Sequence, residues 1–75
     1  MSLFECQKNH RYTILDITTP DLELKDRLMS FGISVGVEFE LLQHSLKKAT
    51  FSIAIERAQI ALRSGEAKHI LVRPL

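Results

Sequence analysis

Cys6 and His10 stand four residues apart near the start of the chain, and His44 and His69 are the other two histidines. A thiolate with several imidazoles is a donor set suited to zinc or another divalent transition metal. Each of the four also has a plainer reading. Cys6 reads as a small buried hydrophobe beside Leu3. His10 reads as an exposed residue of the turn before the first strand, and His44 and His69 as outward residues at strand ends. The pattern therefore predicts no metal centre, and it leaves Cys6, His10, His44 and His69 as the candidates if the fold gathers them around a weakly bound divalent transition metal.

Signatures of catalysis are missing. The serines, histidines and aspartates are scattered, and three glycines in all are too few for a phosphate-cradling loop; neither Gly-x-x-x-x-Gly-Lys nor Gly-x-Gly-x-x-Gly occurs. No enzymatic activity is expected and no cofactor is implied. What remains is recognition. Lys47 and Lys48 lie in the polar stretch from Gln43 to Thr50, which reads either as a solvated loop or as a contact for an acidic partner surface. Met29 lies off the apolar stripe of its segment, and Leu42 should face outward if Leu41 faces inward. Adjacent in space, the two would make an apolar patch of the kind that binds partners.

The elements that must position these residues are mostly short strands. Val37 to Leu42 alternates, with Val37, Phe39 and Leu41 on one face and Glu38 and Glu40 on the other. Tyr12 to Ile17 and Phe51 to Glu56 alternate likewise. Ile60-Ala61-Leu62 follows after the link Arg57-Ala58-Gln59, and Ile70-Leu71-Val72 comes last. One segment departs from this rhythm: Leu24, Leu28 and Phe31 fall at i, i+4 and i+7, one face of a helix. Thr19 is placed to cap it with Pro20 at its first position, Gly32 ends it, and Gly36 supplies a second turn before the Val37 strand. Ser64-Gly65-Glu66-Ala67 reads as one helical turn capped by Ser64. The fold class predicted is mainly β: a small, strongly bent antiparallel barrel in a single domain, residues 1–75, with one inserted α-helix and a short capped turn.

Bulk properties narrow the partners. Ten Lys and Arg against nine Asp and Glu leave a net charge of +1, so nothing collects nucleic acid or anionic lipid by field strength alone. A single cysteine cannot close an internal disulfide, which fits a reducing compartment. No apolar run reaches the ~20 residues of a membrane span, and Met1 to Glu5 is neither basic nor long enough for a signal peptide. The expectation is a cytoplasmic protein that meets a membrane only through a partner.

With helix, glycines and strands placed, the chain resembles the FeoA family. The resemblance is carried by Arg27-Leu28 followed by Phe31-Gly32-Ile33, by Gly36 before Val37-Glu38-Phe39, and by Ile60-Ala61-Leu62-Arg63, Glu66-Ala67 and Ile70-Leu71-Val72. Val35 stands where the family usually has proline, and Arg57 and Asn9 stand where it has glycine. The positions have a structural sense of their own: Leu28 anchors the helix, Gly32 and Gly36 turn the chain, Leu62 and Val72 fill the core, and Ala67 allows close packing. The resemblance implies an SH3-like barrel. It also implies a non-enzymatic accessory protein of bacterial ferrous iron uptake that binds the cytoplasmic GTP-binding part of the FeoB transporter; the contact residues of that reading, Met29, Leu42, Lys47 and Lys48, rest on their expected exposure and not on the resemblance. The alternative is a stand-alone metal-sensing or regulatory barrel, similar to the C-terminal module of iron-dependent repressors. Oligomeric state is left open.

Overall fold

The computed structural model describes residues 1–75. A 3₁₀ turn (Leu3–Glu5) leads into β1 (Arg11–Ile17), α1 (Leu22–Ser30), β2 (Glu38–His44), β3 (Thr50–Ile55), β4 (Ala58–Arg63), α2 (Ser64–Ala67) and β5 (Ile70–Pro74). The five strands form one antiparallel sheet in the order β4-β3-β2-β1-β5. The mainly β class with one inserted helix agrees with the sequence reading, but hydrogen-bonded closure does not. β4 and β5 are the two edges and do not pair, because α2 and the N-terminal 3₁₀ turn lie in the gap and bring Leu3, Cys6 and Ala67 into the core. The β5 edge is masked by the N-terminus: the Val72 N–H donates to the Met1 carbonyl at 2.8 Å and Ser2 bridges Leu71.

The curled sheet encloses one apolar cluster that includes Ile14, Leu28, Phe39, Phe51, Leu62 and Val72, each 1% exposed or less. Burial of each such side chain is worth ~1.5–3 kcal/mol relative to exposure, which is how so short a chain offsets its ordering entropy. Tyr12 stacks on Phe39 with ring centroids 5.7 Å apart, and its buried hydroxyl accepts from the Gln7 N–H at 2.7 Å. Strict alternation fails at two bulges. Leu15 is the unpaired residue between Ile14 and Asp16 on β1, so Leu15 and Asp16 both face outward and Ile17 turns back in. Leu42 is the equivalent residue on β2, between Leu41 and Gln43.

The helix boundaries shift from those read in the sequence. Asp21, rather than Thr19, caps α1, its carboxylate accepting from the N–H groups of Glu23 and Leu24; Pro20 lies outside, and the Thr19 hydroxyl instead accepts from the Asp21 N–H. At the other end the Gly32 N–H reaches the Met29 carbonyl and the Ile33 N–H reaches Leu28, a Schellman ending with Leu28 against Ile33, both fully buried. Gly32 has φ +91° and open space around its missing Cβ, so the demand is on backbone conformation alone. Phe31, expected on the buried stripe, is half exposed because it is the C-cap, where the chain has left the helical path. At α2 the N-cap is Arg63 rather than Ser64, and the Glu66 carboxylate accepts from the Arg63 N–H at 2.9 Å.

The β3–β4 hairpin is tighter than the sequence suggested: Ile55 pairs with Ala58, leaving Glu56-Arg57 as a two-residue loop. The left-handed residue is Glu56 (φ +52°), not Arg57, while Asn9 takes φ +67° in the position of the family's early glycine. A non-glycine side chain strains that conformation by ~1–2 kcal/mol. Glu56→Gly is therefore expected to stabilise the chain by about 0.5–1 kcal/mol, after the added freedom of the unfolded state is subtracted. The urea midpoint should rise with no change in slope; a fall would show that the Glu56 side chain, not the turn, governs the loop.

Candidate docking surface

Helix α1 is held to the body at few points. Leu28 is its one fully buried side chain, Leu24 packs partly against the core, and the Arg27 guanidinium pairs with the Glu66 carboxylate of α2. Burial alone would raise the Glu66 pKa. The Arg63 N–H and the Arg27 guanidinium outweigh it and hold the carboxyl below its ordinary 4.5. Arg27 and Glu66 lie in separate fragments of the sequence; the fold makes them one contact across 39 positions. That contact spans an open groove of about 840 Å³ between α1 and α2, which Asp21, Glu23, Thr50 and Arg63 also line.

The outer side of α1 and the loop after it are unusually apolar for a surface. Leu22, Met29, Phe31 and Val35 are exposed, Val35 by 66%. Met29 and Val35, with Asp16, Ile17, Lys25 and Ser34, line a cleft of about 380 Å³ between the helix and β1. Leu42 is half-buried at the β2 bulge and does not line that cleft. Leu22, Phe31 and Val35 were missed as candidates, since Phe31 was assigned to the core and Val35 to a turn.

The metal candidates are not gathered: no three His, Cys, Asp or Glu side chains lie close enough to hold an ion. His10 is exposed. His44 is half-buried with its ring 6.0 Å from that of Phe51, and His69 is half-buried before β5. Cys6 is buried, its Sγ 3.8 Å from the Ser2 carbonyl, and burial pushes its thiol up to about 12. Folded protein is accordingly expected to resist a thiol reagent at neutral pH, reacting at the rate of global unfolding; quick labelling would contradict the burial. An acid raised in the folded state contributes stability that is complete below the unfolded value near 9.0 and is lost as pH rises toward about 12.

Lys47 is exposed, and Lys48, half-buried with φ +54°, places its ammonium 5.4 Å from the centre of the Phe4 ring. Phe4 in turn packs on Phe51 at 5.6 Å. No helix is long and apolar enough to cross a membrane.

Residues 1–74 match the FeoA domain family. A relative in Helicobacter pylori (strain J99) that carries the name of an Fe(2+) transport protein A is 48% identical over 73 residues, covering 97% of this chain and 94% of its own. Among solved structures, an FeoA-like protein from Clostridium acetobutylicum superposes with a TM-score of 0.87 at 24% identity, over 100% of this chain and 86% of the other, and it supports the SH3-like fold. A manganese-dependent transcriptional repressor bound to manganese superposes with a TM-score of 0.92 at 26% identity, over 100% of this chain and 36% of the repressor. From the first 3₁₀ turn to the end of β5, this chain belongs to the FeoA domain family.

Proposed function

We propose that the chain is a non-enzymatic, cytoplasmic accessory protein of bacterial ferrous iron uptake that acts by binding the cytoplasmic GTP-binding part of an FeoB-type transporter. The match along nearly the whole length to a relative named for Fe(2+) transport supports the process. The observation that carries a docking role is the pair of exposed apolar side chains Met29 and Val35, which meet in one cleft between α1 and β1. Such a pair is what a partner's surface desolvates to form the centre of an interface. Leu42, Lys47 and Lys48, none of which lines the Met29 cleft, are further contact residues in this reading.

Titration of the isolated soluble domain of the transporter, with and without guanine nucleotide, tests it. Met29→Asp with Val35→Asp is expected to weaken binding at least about a hundredfold, the loss expected from burying two unpaired charges. Intact binding and intact iron uptake in that variant would exclude the surface. The similarity to the manganese-dependent repressor supports one alternative, a metal-responsive regulatory barrel. Metal-dependent dimerisation that Cys6→Ser or the three histidine replacements abolish would favour it; a monomer indifferent to metal would exclude it.

A further inference from the structure

We propose that Lys48 and Lys68, converging on Phe4, form a binding point for an acidic polypeptide segment. The Lys68 ammonium lies 4.9 Å from the Phe4 ring centre and that of Lys48 lies 5.4 Å from the same centre. Their separation is therefore at most roughly 10 Å, within about one Debye length, so the two charges repel each other in the free protein. Neither lysine takes part in an ion pair; the carboxylates so engaged are Glu38, Glu40 and Glu66, held by Arg11 and Arg27.

The acids nearest in sequence to the other two members of the cluster are committed elsewhere. Glu5 accepts the Ser2 N–H at 2.8 Å, and that bond, with smaller contributions from the N-terminal ammonium and Lys48, holds its carboxyl below the ordinary range; Glu5 feels the Lys48 charge but does not reach ion-pair distance from it. Glu66 is bound to Arg63 and Arg27. A second, separate observation lies in the backbone. Lys48 sits at φ +54°, a conformation glycine or asparagine would adopt at lower cost, so a side chain is kept at a strained position where it reaches the ring. Two ammoniums outside any ion pair, gathered at one aromatic ring, present a local positive charge that a carboxylate-bearing segment complements.

The observations favour a polypeptide over nucleic acid or a lipid surface. The Phe4 ring packs on Phe51 and carries the two ammoniums, which leaves it unfitted to stack a base. A net charge of +1 supplies no broad field for phosphates in series.

The test uses the full chain alone and so does not depend on the transporter reading. Amide chemical shifts and affinity are followed as a capped hexaglutamate peptide is added at low ionic strength, with an oligothymidylate and phosphatidylglycerol vesicles as parallel probes. Hexaglutamate is expected to shift the amides around Phe4, Lys48 and Lys68. Affinity should fall about tenfold in Lys48→Gln/Lys68→Gln. Lys48→Arg/Lys68→Arg should keep it, as should Lys25→Gln in the Met29 cleft. Shifts centred elsewhere, an affinity unchanged in the double glutamine variant, or occupation of the patch by the oligonucleotide or vesicles but not by hexaglutamate would each overturn the proposal.

Discussion

Leu28→Ala is expected to destabilise the chain by about 3–4 kcal/mol and to lower its melting temperature by roughly 12–32 °C. Leu28 is completely buried and is the one residue of α1 of which that is true, so its truncation opens a cavity with no second helical side chain to close it. The same change removes the apolar contact with Ile33 that accompanies the Schellman ending. A domain of this length has roughly 4–11 kcal/mol in total, so the loss is a large share of what exists. Leu22→Ala, at a residue 73% exposed on the same helix, is the control and should stay within about 0.5 kcal/mol. Urea unfolding of the two variants measures the contrast; a loss below about 1 kcal/mol for Leu28→Ala would mean that α1 is not anchored through this side chain.

Glu66→Ala is expected to cost about 2 kcal/mol at neutral pH. The larger share comes from the charge-assisted bond to the Arg63 N–H, and a smaller share, ~0.2–1 kcal/mol, from Arg27, whose side chain is 60% exposed and screened. Its pH dependence identifies the source. The folded carboxyl titrates below the unfolded value of 4.5, so its contribution is fully present above pH 4.5 and disappears as pH falls through the folded value. The stability difference between the native chain and Glu66→Ala should therefore be flat from about pH 5 to 8 and shrink in more acid solution. A difference that persists unchanged at low pH would assign the effect to packing of the side chain. Because Glu66 ties α2 to α1, the variant also tests whether α1 keeps its position: amide exchange along α1 should speed up in Glu66→Ala, and the docking proposed for this helix should weaken with it.

Much of the architecture was legible in the order of residues. Three alternating runs and two short apolar runs account for the five strands, since a strand half-buried against one core places apolar side chains at every second position. The stretch with Leu24 and Leu28 four apart, closed by Gly32, gave the helix and its left-handed ending. What the runs could not show was where alternation slips. A bulge at Leu15 or Leu42 is decided by pairing with another strand, so the outward turn of Leu15 and the half-burial of Leu42 belong to the sheet. Capping was similarly misplaced by one to two residues at both helices. Thr19 and Asp21 are both good caps, and only the path of the chain out of β1 selects Asp21.

The candidate site was less legible still. Met29 was visible as an apolar residue off the stripe, but Val35 joins it only because the chain turns at Gly32 and Gly36, while Phe31 opens on the side of Arg27 and Glu66. By itself, the sequence determined the class of fold, the near-neutral charge, the lack of any motif for chemistry and the family. These follow from composition, from local periodicity and from fragments in a fixed order. Only the tertiary structure decided that Arg27 meets Glu66, that Lys48 and Lys68 share the Phe4 ring, and that no three potential metal ligands come together. Each is a meeting, or a failure to meet, between residues distant along the chain, fixed by how the sheet curls and by what α2 and the 3₁₀ turn fill at its open seam.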